Sequence, residues 1–287
     1  MISNRAAGFG PRDAAVILRA SSSHRRWAWG MAIVFVSGAL PAFSQENETR
    51  PSPTNARIDE ILTQLQQRSD GLQDIRCEVR FVEDDRINLT QRTKFGAILF
   101  LMTKPNPHFL IHFEKTEADG VLGKQEWYLF DGQWLYQAVE RITQVTKQEV
   151  ARPGMEFDLF DLEKAPFPVP FGQKRETILR NFNVTFVPPA TGDPEKTDHL
   201  ICVPKADSRL YRKYEKLELF VHRDIHLPSR IVVTKNNGYE INTADFPGLS
   251  DKSINAGVKP ADFEKPAAWK NYKEVVEESV PDDDGPP

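Results

Sequence analysis

The chain has 287 residues, 37 basic and 41 acidic, for a net charge of −4, with 18 phenylalanines, 21 prolines and two cysteines. A chain of this sign repels phosphate backbones, which argues against a nucleic-acid partner and equally against a polybasic grip on anionic lipid. Two thiols are too few for a zinc ribbon.

In chain order, the first 44 residues read as a secretory signal peptide. Arg5, Arg12, Arg19, Arg25 and Arg26 form a basic leader opposed only by Asp13. The apolar run "WAWGMAIVFVSGALPAFS" follows, and Ala42 and Ser44 are the small residues of a cleavage site. The run is broken by Gly38 and Pro41 and is short for a bilayer span, so cleavage is expected over an uncleaved anchor. Removing five basic residues and one acidic one takes the net charge from −4 to −8. Residues 45–55, "QENETRPSPTN", form a polar linker, and 56–266 are expected to make one globular domain. An acidic tail from 267 ends in "PDDDGPP".

Between Arg57 and Arg68, Ile58, Ile61, Leu62 and Leu65 recur with the period of an amphipathic helix, with Asn55 as N-cap and Gly71 as the stop. The period then changes to two. Ile75, Cys77, Val79 and Phe81 alternate with Arg76, Glu78 and Arg80, predicting a strand with one wet face. "KFGAILFLM", "HFLIHFEK", "EWYLFDG", "QWLYQAV" and "RITQVTKQ" continue the strands, with Asp131-Gly132 as a hairpin turn. "KRETILRNF" reads as a short helix. Strands resume with "NVTFV", "HLICVP", "KLELFVH", "SRIVVTK" and "YEINTADF", punctuated by Asp224 to Pro228 and by Asn236-Asn237-Gly238. So many antiparallel strands predict a large curved sheet that curls toward a barrel, with one face free to carry the helices. Because "FGAILFLM" is apolar at every position, part of that sheet is expected to be covered on both faces.

One stretch falls outside this pattern. "MEFDLFDLEKAPFPVPFG", residues 155–172, gathers Met155, Phe157, Phe160, Phe167 and Phe171, while Pro166, Pro168 and Pro170 forbid a continuous helix or ladder. Each phenylalanine left in water forfeits about 1.5–3 kcal/mol, so the segment must be covered. It is either a lid that moves aside for an apolar guest or a static plug of ordinary core.

The helix-strand start "IDEILTQLQQRSDGLQDIRCEVRF", the turn in "FLMTKPNPHFLIHF", the hairpin "FDGQWLYQ" and the closing "LPSRIVVTKNNGYEINTADF" with Asn255 and "FEKP" occur in an order that resembles the outer-membrane lipoprotein carrier family, the LolA type. The resemblance covers about residues 56–266 and implies an incomplete, half-open antiparallel barrel, closed by the N-terminal helix and a short helical lid, whose interior shields lipoprotein acyl chains. It implies transfer without bond chemistry, in the periplasm, by a monomer that meets donor and acceptor proteins at membranes. On this resemblance Phe100, Met102, Phe109, Phe113, Trp127, Leu129 and Trp134 are candidate cavity walls, and the 155–171 aromatics with Met155 are candidate lid residues. The family's basic residue before proline, a lid latch, falls on Lys104. Lysine there is a departure from arginine and has no planar fork to hold several carbonyls, so a solvated turn lysine is the competing reading. A second class, an envelope sensor or protein-interaction module on the same scaffold, stays open.

Enzyme motifs are not found: there is no nucleophile elbow, phosphate loop or dinucleotide fingerprint, and no cofactor is implied. His108/His112 and His222/His226 share the spacing of a helical metal pair, but along a strand that spacing separates side chains by about 13 Å, so no metal is expected. Cys77 and Cys202 fall in predicted strands. A disulfide permitted by export and two buried thiols both fit.

Overall fold

The computed structural model describes residues 53–118, 120–152 and 171–277. The expected signal peptide, most of the linker, and Met155, Phe157, Phe160 and Phe167 lie outside the described residues.

The chain opens with helix α1 (Pro53–Asp70). It starts two residues before the expected cap, because proline needs no amide donor in a first helical turn. Gly71 follows the last helical residue as anticipated. The strands are β1 (Asp74–Asp85), β2 (Thr90–Leu101), β3 (His108–Ala118), β4 (Val121–Leu122), β5 (Glu126–Phe130), β6 (Trp134–Val139) and β7 (Gln144–Glu149). Helix α2 (Arg175–Asn181) precedes β8 (Phe182–Val187), β9 (Thr197–Pro204), β10 (Tyr214–His222), β11 (Pro228–Lys235), β12 (Glu240–Asp245) and β13 (Lys273–Glu277). The β5–β6 turn is held by the Asp131 carboxylate, which accepts from the amides of Gln133 and Trp134 at 3.0 and 2.8 Å, while Gly132 takes a left-handed φ of 94°.

All of these strands join one sheet in the order β13-β7-β6-β5-β3-β2-β1-β12-β11-β10-β9-β8, with β4 paired to β3. Neighbours are antiparallel except β13, which runs parallel to β7. Pairing of β1 with both β2 and β12 fuses the two meanders into a single surface. Among the described residues β8 and β13 form the two edges, so the sheet is not closed into a barrel.

Alternation gives the sheet two apolar faces. On one, here the inner face, Ile58, Ile61, Leu62 and Leu65 of α1 join Ile75, Phe100, Phe109, Leu200 and Leu219 in the main core. Burial of those four helix residues stabilises the docking by about 1.5–3 kcal/mol each. Ion pairs fix the helix ends. Arg57 and Arg223 both reach the buried Asp198, at 2.7 and 3.1 Å, Arg68 meets Asp251 at 2.6 Å, and Arg175 pairs with Asp59. On the outer face Leu99, Trp127, Leu129, Tyr136 and Val145 are covered by Val258, Phe263 and Trp269 from the C-terminal segment.

One expectation is corrected here, and one alternative left open by the sequence is decided. Residues 267–277 are not part of a solvated tail. Ala267–Asn271 form a 3-10 turn that buries Trp269, and Lys273–Glu277 add β13 to the sheet edge. The acidic composition hid one aromatic anchor and a parallel pairing that alternation cannot reveal. Cys77 and Cys202 are free thiols, both buried in the main core. Burial pushes each of them up to about 12, so they are inert small hydrophobes at neutral pH.

Candidate functional site

Strand register arranges the inner face in rows across β1, β2, β3, β5 and β6. The deepest row is Ile75, Phe100, Phe109, Phe130 and Leu135. The next is Cys77, Ile98, Ile111, Tyr128 and Gln137, and after it come Val79, Gly96, Phe113, Glu126 and Val139. Phe81 and Lys94 then face Thr116, and Glu83 and Arg92 face Ala118. The surface therefore changes from wholly apolar to charged over five rows. Ile75, Phe100, Phe109 and Phe130 are sealed, whereas Phe81, Ile111, Tyr128 and Leu135 pack against the same core and are only partly buried.

A charged cluster stands at the change-over. Lys94 lies in the sheet with its side chain only 4% exposed, its Nζ 2.9 Å from Glu126 and 3.3 Å from Glu83. The ammonium also sits 5.6 Å from the centre of the Phe113 ring. Burial pulls the Lys94 ammonium down, but Tyr128 and the two carboxylates outweigh it and hold it above the ordinary lysine value. The Tyr128 hydroxyl is raised by burial, opposed by Lys94, and accepts from Gln137 at 3.2 Å. Nearer the hairpin tips the face opens into a polar cavity of ≈ 540 Å³, lined in part by Glu83, Asp85, Arg92, Lys235, Glu240 and Asn242.

Gly96 makes this geometry. The register between β2 and β3 shifts between Phe95 and Gly96, a β-bulge that leaves Glu114 unpaired. A Cβ at Gly96 would lie 1.8 Å from the His112 carbonyl oxygen, so no other residue fits there without moving the backbone. The bulge bends β3 and sets Phe113 beside Lys94.

Of the expected wall residues, Phe100, Phe109 and Phe113 lie on the inner face. Trp127, Leu129 and Trp134 do not: they point outward and pack under the C-terminal segment. Trp127 stacks on His112 at 4.9 Å and meets Trp269 edge-on, and Lys147 lies over Trp134. Met102 follows the end of β2 and is 42% exposed, away from the rows. "EWYLF" is apolar at both phases, so sequence alone could not decide which phase faces in. Phe171 is fully buried, its ring 5.1 Å from that of Phe246. Lys104 is exposed and donates no hydrogen bond to a carbonyl among the described residues. The turn's fixed member is Asn106, which is buried and donates to the Gly132 carbonyl at 2.8 Å. His108 lies on β3 with His112, and His222 and His226 flank a turn; among the described residues no cluster of potential ligands is arranged for a metal.

No family model and no curated protein matches the chain. Solved structures do. They include an uncharacterized conserved protein from Thermus thermophilus, at 9% identity and a TM-score of 0.45, covering 77% of this chain and 99% of that one. An outer-membrane lipoprotein-sorting protein domain from Vibrio parahaemolyticus matches at 12% identity and 0.35, covering 73% and 97%. A LolA superfamily protein from Nitrosomonas europaea matches at 12% identity and 0.33, covering 72% and 97%. Structural neighbours of this chain thus include LolA-type proteins. At TM-scores below 0.5, the fold assignment rests on the strand order and register above.

Proposed function

We propose that the protein is an exported, non-catalytic carrier or chaperone of the periplasm that holds an acyl chain or another apolar guest against its inner face. The observation that supports this is the band of partly exposed apolar side chains, Phe81, Ile111, Tyr128 and Leu135, beside the fully buried floor of the inner face. That band continues the floor of Ile75, Phe100, Phe109 and Phe130 and ends at the charged cluster of Lys94. An amphiphile lying along the rows would meet apolar surface with its tail and polar groups with its head. The driving force is burial at about 0.8 kcal/mol per CH₂, which needs no covalent step.

The test is titration of the full chain with a fluorescent long-chain fatty acid, beside the variants Ile111→Glu and Tyr128→Glu. A charge in the band is expected to abolish binding, while Trp134→Gln on the outer face leaves it unchanged. Saturable binding that ignores both inner-face variants, or no binding by the wild-type chain, overturns the reading.

A further inference from the structure

The two edges of the sheet are unlike. β13 is guarded, with Lys273, Glu274 and Glu277 putting charge on three of its five residues. β8 has no charged residue, glycine or proline, and it pairs with β9 in unbroken register from Phe182–Pro204 to Val187–His199. No described strand pairs with its other side. The main-chain amides and carbonyls on that side need partners spaced along an extended chain, which another strand supplies and a lipid or small molecule does not.

Side-chain phase says which strand fits. Phe182, Val184 and Phe186 belong with the main core, whereas Asn183 and Thr185 are exposed on the opposite face. Antiparallel pairing of β8 with itself about a two-fold axis through Val184 preserves that division. Phe182 then stands opposite Phe186 of the second copy, and Val184 opposite its own counterpart, on the apolar side. Asn183 stands opposite Thr185 on the polar side, an amide facing a hydroxyl. No ionisable side chain of β8 lies in these rows, so no like charges meet at the axis.

Charge at the strand ends agrees. Around the start of β8 stand Arg180, Lys205, Arg209, Arg212 and Lys213 against Asp207 and Glu215, a net of +3. Around its end stand Asp193, Glu195, Asp198, Asp224 and Glu60 against Lys196, Arg223 and Arg57, a net of −2. The two-fold sets each start against the other copy's end, so opposite signs meet.

We propose that β8 pairs with β8 of a second copy, joining two sheets edge to edge in a dimer, in place of the monomer that the resemblance implies. Both outer edges of that dimer are the guarded β13, so pairing stops at two. Strands this short bury less than the about 800 Å² per partner of a standard interface, so the dimer is reversible. The inference is independent of any guest on the inner face.

Sedimentation velocity of the full chain from about 1 to 200 µM tests it. The weight-average mass is expected to climb from monomer toward dimer across that range. Thr185→Lys sets two ammonium groups on one face across the axis and should weaken the dimer about tenfold or more, with the melting temperature at low protein concentration unchanged. Val276→Lys, on β13, should leave the dimer as it is. Register is read by oxidising an equimolar mixture of Asn183→Cys and Thr185→Cys, which should give more covalent dimer than either variant alone. A chain that stays monomeric to the top of the range overturns the proposal. So does a dimer that Thr185→Lys leaves intact or Val276→Lys dissolves, or a cysteine mixture that crosslinks no better than its components.

Discussion

Replacing Lys94 by methionine removes the ammonium from between two carboxylates and leaves the apolar stem in place. Removing one partner of a buried pair costs about 3–5 kcal/mol. Here Glu83, with its side chain 37% exposed, can rehydrate, and the loss falls on Glu126, at 16%. The expected destabilisation is therefore about 2–3 kcal/mol. For a domain of this size that is a drop of roughly 4–12 °C in melting temperature, readable by calorimetry at pH 7. Lys94→Met/Glu126→Gln should recover most of the loss, because the stranded charge is gone. Since the Lys94 pKa is raised, the pair contributes fully below the ordinary value of 10.5 and is lost as pH climbs beyond it. A Lys94→Met melting curve within a degree of wild type would refute the reasoning, as would a double variant no more stable than the single one.

Further outcomes follow from particular contacts. Gly96→Ala places a methyl against the His112 carbonyl at 1.8 Å and should cost more than about 4 kcal/mol, seen as loss of soluble protein or of the cooperative transition. Trp269→Ala uncovers Trp127 and Tyr136 and should cost about 3–5 kcal/mol in urea denaturation, whereas a solvated tail would make it neutral. Cys77 and Cys202, both pushed up to about 12 by burial, should resist an aromatic disulfide reagent at pH 8 and react as two thiols in denaturant without reductant. His108 is lowered from 6.5, first by burial and against the pull of Asp131. Its unfolded form binds the proton more tightly, so stability should fall as pH drops below about 6.5. His108→Gln should flatten that slope in denaturation curves at pH 5 and 7.5.

Much of the scaffold was legible because alternation writes strands directly into sequence. Ile75, Cys77, Val79 and Phe81 announce β1 and its inner face, and Ile58, Ile61, Leu62 and Leu65 announce the buried side of α1. Asp131-Gly132 marks the β5–β6 turn. What stayed hidden were the side assignments where both phases are apolar. Trp127 and Leu129 look like wall residues in "EWYLF", yet the register that places Ile111 opposite Tyr128 turns them outward. Lys94 reads as an ordinary exposed lysine, since its partners Glu83 and Glu126 come from other strands 11 and 32 residues away. That β8 lies at an edge emerges only from strand order, because "NVTFV" reads like any interior strand.

Photo-crosslinking with a long-chain fatty acid that carries a terminal diazirine, read by peptide mass spectrometry, tests the central claim most directly. Adjacent residues on β3 and β5 face opposite ways, so the label must choose. Adducts on Ile111, Tyr128 or Phe81, competed away by unlabelled fatty acid, are the predicted result. Adducts confined to Leu110, Trp127 or Trp134, or no competable adduct at all, would contradict a guest on the inner face.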